Sequence, residues 1–200
     1  KGHLVKEIDS LDGIIGKAID MSGIQYRVLN ASKGPAVRGL RAQADRNLYK
    51  KAINKLLRKE KNLDIIEEEV TDLDITNKSI SGVVLSKKTI VSCETVVLTT
   101  GTFLNGLIHI GNKKIPAGRI GESPTTGLSK TFKKYGFKLG RMKTGTPPRI
   151  AKKSINFKKL KIQNSDKRIT PFSFMNKSIK IKQIPCFITG TNKRTHKIIE

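Results

Sequence analysis

Thr95-Val96-Val97-Leu98-Thr99-Thr100-Gly101 is a nearly unbroken apolar and β-branched run that ends on a glycine. A run of this kind suits a strand buried on both faces, as in a parallel sheet. Upstream of it the apolar period is two. Glu69–Ile75, with Val70, Leu73 and Ile75 apolar, predicts one strand. Ile80–Leu85 and Thr89–Cys93 predict two more, joined by polar turns at Asn77-Lys78 and Ser86-Lys87-Lys88, which makes a β-meander. Leu63–Ile66 is a further candidate strand. Helix, meander and buried strand together imply an α/β layered domain.

Nearer the start, Leu4, Ile8, Leu11, Ile15 and Ile19 recur at helical spacing. Gly13 and Gly16 interrupt that face, leaving one weakened helix or two short ones. Ile24–Leu29 reads as a short strand. Pro35 suits the first turn of a helix, and Val37, Leu40, Ala44, Leu48, Ala52 and Leu56 mark one apolar face ending near Lys59. Downstream, Gly106–Gly127 is glycine-rich, a long loop or a set of short strands. Leu128–Tyr135 reads as a helix stopped by Gly136. Lys143-Thr144-Gly145-Thr146-Pro147-Pro148-Arg149 is a rigid link. It divides the chain into residues 1–148, part of a larger α/β domain, and residues 149–200, the start of a second one.

The net charge is +24 over 200 residues. Such a field favours a polyanion, nucleic acid first. Abundant lysine and isoleucine with no tryptophan is also what an AT-biased genome produces. Cys93 and Cys186 are too few for a disulfide framework or a zinc site, and no metal site is expected. No apolar run reaches membrane-spanning length and no signal peptide is visible, so a cytoplasmic protein is expected. The chain opens on lysine and stops inside an expected helix, which reads as truncation at both ends.

Three places invite chemistry. Thr100 and Gly101 end the buried run, where open α/β sheets receive ligands. Lys33-Gly34-Pro35 precedes the expected helix, whose N-terminus would attract an anion, with Arg38 and Arg41 one turn apart in support. Gly118-Arg119-Ile120-Gly121-Glu122 sets an arginine between glycines, suited to a phosphate or a reduced ring. Each pattern is equally met by a plain turn or a solvated basic face. His3, His109 and His196 are scattered, and no Ser-His-Asp arrangement, Walker loop or Gly-x-Gly-x-x-Gly fingerprint is present. No residue is assigned a catalytic role.

Several strings are more specific. They are Lys1-Gly2-His3-Leu4-Val5-Lys6-Glu7, Asn30-Ala31-Ser32-Lys33-Gly34-Pro35-Ala36-Val37-Arg38 and Arg41-Ala42-Gln43-Ala44-Asp45-Arg46. The series continues with Val96–Gly106, His109-Ile110-Gly111, the Lys143–Arg149 link, Pro171-Phe172-Ser173-Phe174-Met175 and Ile184-Pro185-Cys186-Phe187-Ile188-Thr189. In this order they resemble the glucose-inhibited division protein A family of tRNA wobble-uridine modification enzymes, over nearly the whole chain.

The resemblance implies an FAD/NAD(P)-binding, Rossmann-like domain of the glutathione-reductase type, carrying a meander and an inserted NAD-associated domain. It implies a flavoprotein homodimer that works with the GTPase MnmE on C5 of the tRNA wobble uridine. NADH would be the reductant and methylenetetrahydrofolate the one-carbon donor. Val70 and Thr125 match FAD-contacting positions of the family, the second usually serine. Thr100 and Gly101 match the strand end beside the flavin, and Lys33, Gly34 and Arg119 would line the same cleft without a catalytic role. Neither Cys93 nor Cys186 matches the family's catalytic cysteines, which would lie outside this stretch, as would its glycine-rich FAD loop. The expectation is a piece that cannot turn over alone. A folate- and FAD-dependent tRNA uridine methyltransferase shares this scaffold, and a basic, non-enzymatic RNA-binding protein would explain the charge alone.

Overall fold

In the computed structural model the described residues are 2–145, 147 and 149–200. Two positions of the Lys143–Arg149 link, Thr146 and Pro148, and Lys1, the first residue of the Lys1–Glu7 string, lie outside them. In chain order the elements are α1 (Gly2–Ser10), α2 (Ile14–Asp20), β1 (Gly23–Leu29), β2 (Gly39–Ala44), α3 (Arg46–Leu57), β3 (Val70–Thr76), β4 (Ser79–Leu85) and β5 (Ile90–Ser92). There follow β6 (Leu107–Ile110), β7 (Lys113–Pro116), α4 (Gly127–Lys134), β8 (Lys161–Gln163), β9 (Cys186–Ile188) and α5 (Lys193–Ile199). Contacts divide the chain into two compact units. One is residues 1–64 with residues 150–200; the other is residues 65–149.

In the first unit the opening helical face is two helices. The break falls at Asp12-Gly13, where Asp12 takes a positive φ of 66°. The expected helix from Pro35 to Lys59 is corrected. Pro35 heads a single 3-10 turn, Gly39–Ala44 is strand, and the helix starts only at Arg46. Two forces override the apolar spacing. β2 pairs antiparallel with β1 from Gly23↔Ala44 to Leu29↔Gly39, which takes its backbone groups into a ladder. Asp45 then caps α3, its carboxylate accepting the N–H groups of Asn47 and Leu48.

The core of this unit gathers Ala18, Tyr26, Ala52 and Phe172. The Tyr26 and Phe172 rings sit 6.3 Å apart at 48°. The distant segment that carries Phe172 is held by two buried carboxylates. Asp20 accepts from the N–H groups of Phe172 and Ser173, each at 2.9 Å, and Asp9 accepts from that of Phe174 at 2.8 Å. Lys6 donates to the carbonyls of Pro171 and Phe172. Asp166 continues the attachment, accepting from Val28 N–H at 2.6 Å and pairing with Arg27 at 3.0 Å. β8 and β9 form a small antiparallel pair beside it.

In the second unit the meander forms as expected, in the order β3-β4-β5, with Asn77 and Lys78 in left-handed turn geometry. Gly106–Gly127 resolves into a hairpin, β6-β7, turning at Gly111 with φ 56°. α4 stops before Gly136, whose φ of 81° ends it. Leu63–Ile66 forms no strand, and Leu63, Ile65 and Ile66 are exposed. The Thr95–Gly101 run is corrected too. It forms no strand, its last residue Gly101 lies in a turn, and Val97 is 87% exposed. Among the described residues no strand pairs with it. Every ladder among the described residues is antiparallel and joins other segments.

Candidate functional site

The expected cofactor positions Val70, Thr100, Gly101 and Thr125 all lie in the second unit. Val70 is half-buried at the first residue of β3 and pairs with Leu85. Its neighbour Thr71 touches the start of α4. A Cβ on Gly127 would lie 1.9 Å from the Thr71 carbonyl oxygen, so only glycine permits this approach. The Thr131 hydroxyl, one turn further along α4, donates to the Asp72 carboxylate and fixes the same face.

Thr125 lies two residues before Gly127. It forms a parallel bridge with Leu104, and its carbonyl accepts Asn105 N–H at 2.9 Å. The Asn105 side chain donates to Ser129 Oγ at 2.6 Å, and Ser129 Oγ donates to the Thr126 carbonyl at 3.0 Å. Arg141 adds a bond to the Asn105 carbonyl at 3.2 Å. The sequence reading missed this Asn105–Ser129 network. A polar residue on the buried side of α4, beside Leu128, was the available signal.

Thr100 and Gly101 lie shortly before Leu104 in the chain. They sit in a turn that returns to Phe103, not at the end of a strand. Gly101 has φ 60°, and a Cβ there would meet nothing closer than the Phe103 ring at 4.0 Å. Gly118 packs against that ring so closely that its own Cβ would fall 2.3 Å from it. The Arg119 guanidinium stands 5.7 Å from the ring centroid and pairs with Glu122 at 3.1 Å.

Val70 and Thr125 are half-buried, and Gly101 is an open left-handed glycine. They are not an acid–base constellation. Among the described residues no cluster of His, Cys, Asp and Glu is placed to hold a metal ion. His196 contacts Thr191 Oγ1, and both cysteines are half-buried free thiols.

The Asn30–Arg46 stretch lies in the first unit and is corrected as a helix-start site. Arg38 and Arg41 do not share a helical face. Arg38 Nε donates back to the Ala31 carbonyl at 3.1 Å and closes the loop, whereas Arg41 stands in β2. Lys33 is exposed, and Gly34 takes φ 103°. Lys33 and Gly34 belong to a different compact unit from Arg119.

The family model described as "Glucose inhibited division protein A" matches residues 1–200. The chain belongs to the glucose inhibited division protein A family. It is 51% identical, over 199 residues, to the tRNA uridine 5-carboxymethylaminomethyl modification enzyme MnmG of Thermodesulfovibrio yellowstonii, of which it covers 32%. It is similar to the GidA of Aquifex aeolicus in two crystal forms. The identity is 43% in each, with all of this chain and 34% of that one covered, and TM-scores are 0.91 and 0.90. The α/β fold expected from the sequence is thus the fold of this part of the GidA chains. The chain spans about a third of the length of these relatives.

Proposed function

We propose that this chain is part of a flavin-dependent tRNA-modifying enzyme. The whole protein would add the (carboxymethyl)aminomethyl group at C5 of the wobble uridine, in the cytoplasm and together with the GTPase MnmE. The observation that carries this reading is the 51% identity to an MnmG, spread over the full chain. The basic-RNA-binding alternative does not account for full-chain identity to a modification enzyme. The 51% identity is to an MnmG, which favours this reading over the methyltransferase alternative on the same scaffold. No helix among the described residues is long and apolar enough to cross a membrane.

The residues fit one wall of an FAD site. Val70 offers apolar surface, Thr125 a hydroxyl, and Thr100-Gly101 a turn whose glycine leaves open space where a side chain would stand. When bound, FAD supplies the redox chemistry. The chain's own residues hold and orient, with Gly127 and Thr131 fixing the helix behind Thr125 against β3. NADH as reductant, methylenetetrahydrofolate as one-carbon donor and a homodimeric assembly complete the proposal. The domain reading, residues 1–148 flavin-binding and 149–200 opening an inserted domain, belongs to it as well.

The test is deletion of the full-length gene followed by mass spectrometry of the tRNA nucleosides. Loss of the aminomethyl-type wobble modification is expected. Unchanged modification overturns the reading.

A further inference from the structure

Arg27 and Arg41 stand directly opposite each other in the β1-β2 ladder. Directly opposed residues of an antiparallel pair project from the same face, and like charges there repel. Only one of the two is neutralised. Arg27 pairs with Asp166 at 3.0 Å. Arg41 has no carboxylate within ion-pair distance among the described residues. Its sole side-chain hydrogen bond there is to the neutral Gln25 Oε1, at 3.1 Å, and its Nε is buried without a partner. Gln25 is itself fully buried, so the guanidinium is held in place rather than free to seek solvent.

A half-buried guanidinium facing a second one, with a donor left over, is an arrangement that an anion stabilises. The surroundings provide room for one. Arg27 and Arg41 line an open concavity of about 430 Å³ together with Asn30, Ser32, Lys33 and Gln163. Neither an acidic nor an aromatic side chain lines it. Lys33 brings a third cation to the rim. The site therefore selects for charge and offers no ring on which a nucleotide base would stack.

We infer that this concavity binds a phosphate group, and that the phosphate belongs to the backbone of the tRNA. The chemistry is shared with the diphosphate of a dinucleotide cofactor, but a cofactor would need its bases seated nearby, and this lining has no surface for that. The inference rests on the tRNA-modifying reading above and adds to it a place where the RNA chain is gripped.

The experiment uses the full-length protein with a transcribed substrate tRNA, in filter binding across a range of salt concentrations. K33A changes an exposed side chain and leaves the ladder intact. R41Q keeps a polar side chain beside Gln25. Each is expected to weaken tRNA binding about fivefold at low salt. Each should also lower the slope of log affinity against log salt by about one, the signature of one lost phosphate contact. FAD and NADH titrations of R41Q, at a residue outside the expected cofactor positions, should be unchanged. Unaltered tRNA affinity and slope in both variants overturns the inference. So does a loss of flavin or NADH affinity with tRNA binding intact, which assigns the phosphate to a cofactor. A wild-type protein that binds no tRNA defeats the tRNA reading itself, which separates the two failures.

Discussion

Asp20 and Phe172, 152 residues apart in the chain, are joined by a buried hydrogen bond of 2.9 Å from backbone N–H to carboxylate. The same carboxylate accepts from Ser173 N–H and from the Asn176 side chain. One acidic residue at the end of α2 thus takes three of the hydrogen bonds that seat the Pro171–Asn176 segment, beside those to Asp9 and Lys6. D20A leaves three donors without this partner in a site where Asp20 is only 6% exposed. A cost of about 2–4 kcal/mol in denaturant unfolding is expected. E122A, at an exposed ion pair with Arg119, should cost no more than about 0.5 kcal/mol. Equal effects of the two would show that the clamp does not hold the segment.

Gly127 offers a contest between two effects of known size. Replacing glycine by alanine in a helix gains up to about 1 kcal/mol in propensity. Here the new Cβ would meet the Thr71 carbonyl at 1.9 Å, against backbone that cannot swing aside. The overlap wins, and G127A is expected to destabilise by a net of about 1–3 kcal/mol as α4 is pushed off β3. In the full-length protein flavin affinity should fall with it. G140A, where a Cβ meets nothing, should stay within about 0.5 kcal/mol of the parent.

Capping decides where α3 begins. Asp45 Oδ1 accepts from both Asn47 and Leu48 N–H groups at 2.9 Å. D45A should cost about 1 kcal/mol and D45N much less, because asparagine caps nearly as well. Equal losses in the two variants would point to a charge effect instead of the cap.

That same residue marks where the sequence was and was not legible. Between Val37 and Leu56 the apolar spacing fits one helical face, but Asp45 is an N-cap residue in the middle of it, and Leu40, Ala42 and Ala44 also fit a strand. Spacing alone could not choose. Pairing with β1 did, and that is a tertiary fact. The meander was readable because each strand alternates and each turn is short and polar. The Thr95–Gly101 run has the composition of a buried strand, but burial requires neighbours, and no described strand lies against it. In the site, Val70 and Thr125 came from the resemblance. The Asn105–Ser129 bond and the Arg27–Arg41 opposition needed the register and the fold.

Tyr26 carries a pH signature. It is 2% exposed, and its hydroxyl donates to the Ile19 carbonyl at 2.8 Å. Burial first, and the nearby Asp20 carboxylate second, push its ionisation well above the ordinary tyrosine range. The folded state therefore holds the phenolic proton after the unfolded chain has lost it. The stability this contributes is complete below the ordinary value near ~10 and declines as pH rises above it. Y26F should flatten that alkaline decline while costing about 1 kcal/mol at neutral pH through the lost hydrogen bond. An alkaline unfolding profile identical in Y26F and parent would contradict the assignment.

Glu68 shifts the other way. Its carboxylate accepts from Ser86 Oγ at 2.8 Å and from Lys87 N–H at 3.1 Å, at the turn that leaves β4. The serine bond first, then the backbone bond and the Lys87 charge, hold its ionisation below the ordinary glutamate range. Since the folded value is the lower one, the contribution to stability is present above the ordinary value of about 4.3 and disappears as pH falls through the depressed one. Carbon-detected NMR titration should find the Glu68 midpoint below that ordinary value. S86A should move it upward, because the largest cause is gone, while the Lys87 N–H keeps it from full recovery. A midpoint that ignores S86A would mean the turn is held by its backbone alone, and that the Glu68–Ser86 bond does not persist in solution.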